Sequence, residues 1–444
     1  MSLIKTISQR KGMGESLRNI GWLSIDRIVR LLGAVLVGTA VARYLGPAQF
    51  GLLNVALAIY ALFNMVSNLG LDSLVVRDVV LEQSKEREVL GTSFVLKAVA
   101  GVITAVAATC AAWLMDRHNT TMIVIVALVS FASISQAFDV VDYFFQARVR
   151  SQYMVVPRTL VFIAASVARF AAIYLHMGLL AFAWIAAFEV LLTEIGLVAA
   201  YFLYHAKPLR WNWHVSRAKA MLSESWPLLI SSLMIMLYMR TDQVLLSKLA
   251  NMETVGIYSA AIRLSEVWYA IPIVVTSSVM PRILRSRESD PQRYYSRLLI
   301  FYECMIVASL FVVLGTLLAG PFVIKKLYGP QFADASKILL VHIWTGVFVA
   351  VGCIGGQQYV HERVTISSVQ RTTLGAIVNI VLNIWWIPRW GGMGSAMATL
   401  VAQGIGSYFA DAFDPRTRHI FKMKTQAYLE FWMLPVRLLK EIKK

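Results

Sequence analysis

Apolar stretches of about 20 residues or more follow one another along the whole chain, separated by short polar connections, which is the rhythm of bilayer-crossing helices. A crossing strand would need only about 10 residues of alternating character, so the spans are read as helices. The runs predict about twelve, over 20–43, 48–71, 90–115, 120–146, 152–176, 178–204, 223–249, 254–282, 297–320, 331–358, 364–388 and 392–412. Residues 41–80, VARYLGPAQFGLLNVALAIYALFNMVSNLGLDSLVVRDVV, show how the runs are punctuated. Gly46 and Pro47 end the first helix sharply and Gly51 lets the next begin at once, giving a tight hairpin.

The pattern is written twice. GESLRNIGWLSIDR opens the first half and SESWPLLISSLMIMLYMRTDQ the second; GPAQFGLLNVA is followed by its counterpart NMETVGIYSAA. Phe50-Gly51 to Arg77 spans the same interval as Val255-Gly256 to Arg282, and QARVRSQYMVVPRT has an echo in QYVHERVTISSVQRT. Such register indicates an internal repeat, and an even number of spans in each half makes it a parallel one, with a cleft between the repeats. Between the halves, residues 207–222 read as a basic, aromatic-containing amphipathic elbow on the membrane surface. The expected organisation is a six-helix lobe over 1–206, the elbow over 207–222, a second six-helix lobe over 223–413 and a basic cytoplasmic tail over 414–444.

Composition sharpens the class: 58% of the 444 residues are hydrophobic and 15% charged, which no water-soluble domain of this length tolerates. The fold class is therefore all-α, a polytopic membrane protein. Asp26, Arg27 and Arg30 interrupt what would be the apolar region of a cleavable signal, so the first helix is expected to stay. Cys110, Cys304 and Cys353 lie inside spans without metal-ligand spacing and read as packing residues. No metal site is expected.

A formal charge of +17, from 42 Lys and Arg, invites an acidic partner such as nucleic acid. Sorting the cations by location removes that reading. About 27 fall on the side that holds both termini and about 7 on the other, a positive-inside asymmetry that puts both termini in the cytoplasm. No nucleic-acid partner is expected.

The ionisable residues inside spans carry more information. They are Arg27, Arg30, Lys97, Arg158, Arg169, Arg240, Arg263 and Arg371, with Asp26, Asp139, Asp142, Glu189, Glu194, Asp242, Glu266 and Glu303. Facing lipid, these would cost on the order of 40–55 kcal/mol together. Asp142, Glu303, Arg371 and Lys97 are expected to snorkel to the span ends; the rest require a wet path between helices. Asp26 and Arg30 share one helical surface, with Arg27 beside them, and guanidinium suits bidentate contact with phosphate. Arg158 and Arg169 face the same way about 16 Å apart along one helix. Topology puts Arg27, Arg30 and Arg158 toward the cytoplasm and Arg169, Arg240 and Arg263 in the outer half, a receiving and a releasing set for an anion. The competing role for each is a structural pair, for instance Arg263 with Glu266 or Arg240 with Asp242. Glu189 and Glu194 are the best candidates for a proton or sodium site, but five residues apart they share no face. Membrane potential offers another drive, about 2.3 kcal/mol per charge per 100 mV.

VARYLGPAQFGLLNVALAIYALFNMVSNLGLDSLVVRDVV, with GIYSAAIRLSEVWYAIPIVVTSSVMPRIL in the second half, resembles the Wzx-type polysaccharide flippases of the multidrug/oligosaccharidyl-lipid/polysaccharide exporter superfamily, over almost the full chain. The resemblance implies two six-helix bundles around a central cavity, working by alternating access. It implies a bacterial inner-membrane transporter, not an enzyme and without cofactor, moving undecaprenyl-pyrophosphate-linked oligosaccharide repeat units from the cytoplasmic to the periplasmic leaflet. The product would be O-antigen, capsule or exopolysaccharide, and the partners membrane lipids, a polysaccharide polymerase and a chain-length regulator. Arg27, Arg30, Arg158, Arg169, Arg240 and Arg263 are then the expected pyrophosphate and sugar ligands. Asp26, Glu189, Glu194, Asp242 and Glu266 would orient them or couple transport to an ion.

Three other classes compete. A cation-coupled drug exporter of the same superfamily calls for an acidic cavity with little fixed positive charge, against Arg27 and Arg30. A lipid II flippase usually carries two further helices, where this chain shows a basic amphipathic tail, KTQAYLEFWMLPVRLLKEIKK, expected at the interface. An intramembrane polymerase or ligase calls for a large periplasmic loop, whereas every connection is short, and no HExxH, GxSxG or phosphate-cradling glycine loop occurs.

Overall fold

The computed structural model describes residues 2–205, 211–362 and 364–442, and all regular structure among them is helical. The first half holds α1 (Ser2–Ser67), α2 (Asp72–Leu81), α3 (Glu86–Met115), α4 (Thr120–Ala132), α5 (Val140–Ala147), α6 (Gln152–Tyr174) and α7 (Leu179–His205). The second holds α8 (Val215–Leu249), α9 (Met252–Val267), α10 (Ala270–Ser289), α11 (Pro291–Tyr328), α12 (Ala335–His342), α13 (Thr345–His361) and α14 (Thr365–Gly404). The short α15 (Ala410–Phe413) and the tail helices α16 (Arg418–Glu430) and α17 (Leu434–Ile442) follow.

By length and apolarity, nine helical stretches among the described residues qualify as membrane spans, against the twelve expected. Glycine breaks explain part of the difference. One qualifying stretch, Asp26–Leu81, is 56 residues long and is interrupted at Gly46, where φ is 74°; Pro47 then restarts the helix at the position where its missing N–H costs nothing. The 40-residue α14, which is not among the nine, is broken in the same way at Gly391, φ 52°. Of the expected elbow, residues 207–210 lie outside the described residues, 211–214 are non-helical, and from Val215 the chain runs directly into α8.

The chain divides into two compact units, Met1–Leu45 with Leu52–Met236, and Gly46–Gly51 with Leu237–Lys444. In the first, the lipid-exposed and internal faces of α3 separate by size. Val99, Val102, Ile103 and Val106 are exposed, while Gly101, Ala105, Ala108 and Ala112 are buried. Large residues outward and small ones inward is how bilayer helices pack, because hydrocarbon gives no hydrophobic drive between them. The buried row meets a 3₁₀ stretch, Ser133–Asp139, with the position of a Gly101 Cβ only 3.4 Å from Ile134 Cα. At one end of this unit Val75, Leu90, Phe144, Phe145, Met154, Leu197 and Tyr201 form an apolar core, on which Trp211 is packed.

Ion pairs tie the start of α8 to the α2–α3 connection. Arg217 reaches Glu82 at 2.5 Å, Glu88 at 3.2 Å and Asp78 at 3.6 Å, and Arg77 bridges Asp78 and Glu224. Hydrogen bonds from the Arg217 guanidinium hold the Glu82 carboxyl down at about 2, from an ordinary 4.5.

In the second unit, Tyr294, Leu298, Tyr302, Ile306, Val351 and Ile354 make the core. Ala427 of α16 belongs to the same core, so the tail helix is docked on the unit. Lys424 is wholly buried there, donating to Asp411 at 2.7 Å and to the Ser407 carbonyl at 2.8 Å. That carbonyl lies in a π-helical turn, Ile405–Phe409, where the regular i→i−4 ladder is interrupted. Gly355 makes the room, since a Cβ there would sit 2.9 Å from the Lys424 ammonium.

The six residues Gly46–Gly51 join the second unit through a reciprocal contact with α9. A Cβ on Gly51 would lie 1.8 Å from the Met252 carbonyl oxygen, and one on Gly256 would lie 1.9 Å from that of Pro47. Each glycine thus meets the residue four positions before the other, and Gly51 and Gly256 are the counterparts in the repeat read from the sequence.

Both alanine substitutions drive a methyl into backbone. Gly51→Ala and Gly256→Ala are each expected to destabilise the detergent-solubilised protein by about 3 kcal/mol, seen as a lowered midpoint of thermal unfolding followed by tryptophan fluorescence; unchanged midpoints would mean that the two backbones do not meet. The second expectation concerns pH. A carboxyl held low stabilises the fold fully above the unfolded value and loses that contribution as pH falls. The stability gap between the wild type and Glu82→Gln should therefore be widest above about 4.5 and close on the way down to about 2. A gap independent of pH would exclude the Arg217–Glu82 pair as its source.

Candidate functional site

Burial of charge in apolar helices forces pairing, and each unit has its own network. In the first unit the α4–α5 segment is bent by the Ser133–Asp139 turn, which presents Asp139 to α3 and α6. Lys97, only 2% exposed, uses all three ammonium protons: 3.0 Å to Asn68 Oδ1, 3.1 Å to Asp139 and 2.9 Å to the Tyr143 hydroxyl. That hydroxyl in turn donates to Asp72 at 2.6 Å. Arg158 binds Asp142 at 2.7 Å and Asp139 at 3.4 Å. Glu194 is buried, in electrostatic reach of Asp139, Arg158, Lys97 and Asp142, and its Oε2 has no partner among the described residues. Asp142 Oδ1 is equally unpartnered. Lys97 and Arg158, the two cations here, are both paired with acids, so the cluster has no free positive charge to offer an anion.

The snorkelling expected of four residues is corrected. Lys97 and Asp142 are buried in the network, because Asn68 just after α1, Asp139 of the 3₁₀ turn, Tyr143 of α5 and Arg158 of α6 are nearer than water. Glu303 is likewise fully buried, held by Arg437 from α17. Arg371, also expected to snorkel, is instead part-buried, with its guanidinium 4.5 Å from the Tyr359 ring centre and its Nε buried.

The remaining predicted residues of the first unit separate into committed and available groups. Arg169 pairs with Glu189 at 2.5 Å, so Glu189 and Glu194, expected to share no face, belong to different networks. Arg30 donates from Nε to Asp26 at 2.9 Å, and Asp26 is itself fixed by the Thr159 hydroxyl at 2.9 Å. One guanidinium nitrogen, Arg30 Nη2, is buried and meets no acceptor among the described residues. Arg27, one turn away, is exposed and forms no ion pair among them.

In the second unit, Arg240, Asp242, Arg263 and Glu266 come into electrostatic range of one another, yet no Arg240–Asp242 salt bridge forms among the described residues. Asp242 accepts instead from the Tyr258 hydroxyl and from the Gln243 amide. Arg263 lies 5.6 Å from the centre of the Phe50 ring. Four residues the sequence reading passed over extend this network. Asn383 donates to Asn379 Oδ1 at 3.0 Å, Asn379 to Thr399 at 3.3 Å, and Thr399 to the Ser395 carbonyl at 3.0 Å. Asn383 Oδ1 is left without a protein partner among the described residues; a buried oxygen of this kind ordinarily binds water or an ion. The i, i+4 spacing of Asn379 and Asn383 in an apolar span was the available signal.

Residues 16–287 match the family described as polysaccharide biosynthesis protein. The probable flippase AglR of Haloferax volcanii is 28% identical over 183 residues, which is 39% of this chain and 37% of that relative. The match thus spans little more than a third of the curated relative's length. Among solved structures, the chain is similar to the lipid II flippase MurJ in an inward closed conformation, with a TM-score of 0.72 at 13% identity over 95% of this chain and 96% of that one. It is also similar to an inward-facing multidrug resistance MATE family transporter of the MOP superfamily, with a TM-score of 0.64 at 13% identity over 92% and 99%. At such identity these likenesses establish the fold. The chain belongs to the polysaccharide biosynthesis protein family, and it is a multi-pass membrane protein of the MOP transporter fold.

Removing one member of a buried charge network strands the others. Arg158→Met is expected to cost about 3–5 kcal/mol, and Arg158→Met with Asp142→Leu to recover part of it. Equilibrium unfolding of the two single variants and the double in detergent measures the coupling; strictly additive losses would show that the pair is not formed.

Proposed function

We propose that this chain is a flippase that moves undecaprenyl-pyrophosphate-linked oligosaccharide repeat units from the cytoplasmic to the periplasmic leaflet of a bacterial inner membrane, with both termini cytoplasmic, for assembly of O-antigen, capsule or exopolysaccharide. The family match and the transporter fold support a lipid-linked sugar as cargo. The positive-inside asymmetry supports the orientation. A polysaccharide polymerase and a chain-length regulator are the partners such a product calls for.

The observation that carries the reading is the distribution of uncommitted guanidinium. A pyrophosphate passing through a membrane needs cations whose charge is not already neutralised. Arg158 and Arg169 give theirs to acids, so they hold the first unit together more than they hold cargo. Arg27 and the buried Nη2 of Arg30 remain without an acceptor among the described residues of that unit, and Arg240, with no ion pair among the described residues, is the counterpart in the second. We assign the receiving role to Arg27 and Arg30 and the releasing role to Arg240; Arg263, which lies against the Phe50 ring, is given neither role. Asp26 orients Arg30, Asp242 and Glu266 set the field around Arg240, and Glu194, a buried carboxylate with an unpartnered oxygen, is the coupling acid. Glu189 is occupied by Arg169.

In liposomes loaded with a pyrophosphate-linked oligosaccharide, Arg30→Ala and Arg240→Ala are expected to slow translocation at least tenfold, and the paired change Arg169→Gln with Glu189→Gln much less. Full rates for Arg30→Ala and Arg240→Ala would remove the assignment. In cells, deletion of the gene should leave undecaprenyl-linked repeat units on the inner leaflet, and a deletion strain that exports them normally would refute the function itself.

A further inference from the structure

Away from the charged networks, the second unit contains a cavity of ≈ 1040 Å³ between the start of α11, the turn after α13 and the two tail helices. That is the size of a small-molecule site. Its wall mixes cations, acids and hydrogen-bonding side chains, and the pairing within it decides what it can take. Both lining carboxylates are already answered: Glu441 by Arg293 at 3.2 Å and Arg297 at 2.8 Å, and Glu362 by His419 at 2.6 Å. Arg437 is committed to Glu303 and Glu430, and Arg416 lies 3.2 Å from Asp414. Lys422 on α16 and Lys440 on α17 also line the cavity, are exposed, and form no ion pair among the described residues. Tyr295, Ser296 and Gln426 add hydrogen-bonding groups to the same wall.

The apolar side of the tail points to the source of the anion. Leu429 near the end of α16, Trp432 in the 3₁₀ turn Phe431–Met433 and Val436 and Leu439 on α17 are all exposed, Leu429 and Trp432 by 70% and 68%. Amphipathic helices that expose such apolar residues together with lysines lie in the headgroup region of a bilayer. Basic pockets beside membrane helices hold phosphate headgroups.

We propose that this cavity binds the phosphate headgroup of an anionic phospholipid from the leaflet in which the tail lies, with Lys422 and Lys440 as the phosphate ligands and the Leu429–Leu439 face against the acyl chains. The site is independent of the cargo-binding arginines, so its test does not depend on transport. A resident lipid here would fasten α16 and α17 to the leaflet, and through Ala427 and Lys424 of α16 it would act on the core of the second unit.

Native mass spectrometry of the full-length protein in detergent, with phosphatidylglycerol or phosphatidylcholine added, reads the site directly. The wild type is expected to retain phosphatidylglycerol over phosphatidylcholine, and Lys422→Gln with Lys440→Gln to lower phosphatidylglycerol retention roughly tenfold. Lys422→Arg with Lys440→Arg should keep it. Both lysines are exposed and unpaired, so these variants fold as the wild type does, and the melting midpoint checks this. Equal retention of the two lipids by the wild type, or unchanged retention by the glutamine variant, overturns the proposal. An arm with inorganic phosphate alone distinguishes the sources: millimolar phosphate that raises the melting midpoint in a lysine-dependent way, with no lipid retained, would make the ligand a soluble anion and overturn the lipid assignment.

Discussion

An ionised side chain within an apolar helix has to find its counter-charge inside the protein, and most of this structure follows from that requirement. Lys97 cannot reach water, so Asn68, Asp139 and Tyr143 are drawn to it from three other segments. Arg158 then completes Asp139 and Asp142. The helices of the first unit are thereby fixed by directional contacts, which apolar surfaces in lipid do not supply. In soluble proteins a buried ion pair is often a poor exchange for well-packed hydrocarbon. What makes the network binding is that loss of one member leaves the other a bare buried charge, which is far costlier than either arrangement.

The second constraint is how closely backbones approach. Gly51 and Gly256 let two helix starts touch at their carbonyls, a contact that any side chain would prevent. Because these two glycines occupy equivalent places in the repeated sequence, the contact is one surface meeting its own copy. Duplication of a segment makes such self-complementary contacts available without separate invention of two surfaces. The register of the helices agrees with this: α3 begins at Glu86 and α11 at Pro291, the same separation as Gly51 and Gly256.

The sequence made the helices, the Gly46 break and the Asp26–Arg30 pair legible, because each depends on residues within one turn or one span. The longer-range polar contacts were not. Lys97 and Tyr143 lie 46 residues apart, and nothing in either span says which polar group the other will supply. Snorkelling was the natural expectation for charges near span ends, and it fails for Lys97, Asp142 and Glu303 because packing brought a partner closer than the interface. Asn379 and Asn383 escaped notice for the opposite reason: being neutral, they barely lower the apolarity of a span, while buried each brings two N–H donors and a carbonyl acceptor into α14. Lys424 was hidden in a tail read as interfacial, since a basic residue on an amphipathic helix gives no sign that its ammonium is to be buried against Asp411.

Pairing also separates the charges that hold the fold from those that are free to act. A buried donor left without an acceptor lowers stability by about 1–3 kcal/mol, and selection for stability alone would remove it. Arg30 Nη2 is such a donor, and it sits beside a guanidinium nitrogen that Asp26 already satisfies. The same side chain is thus anchored at one nitrogen and buried without an acceptor at another, with its guanidinium 5.8 Å from the Phe162 ring centre. If the cargo is pyrophosphate-linked as proposed, it would bond that second nitrogen without first breaking a hydrogen bond, whereas at Arg158 it would have to displace two carboxylates. The difference between these arginines is invisible in residue type and spacing; it resides in which of their nitrogens the fold has left unanswered.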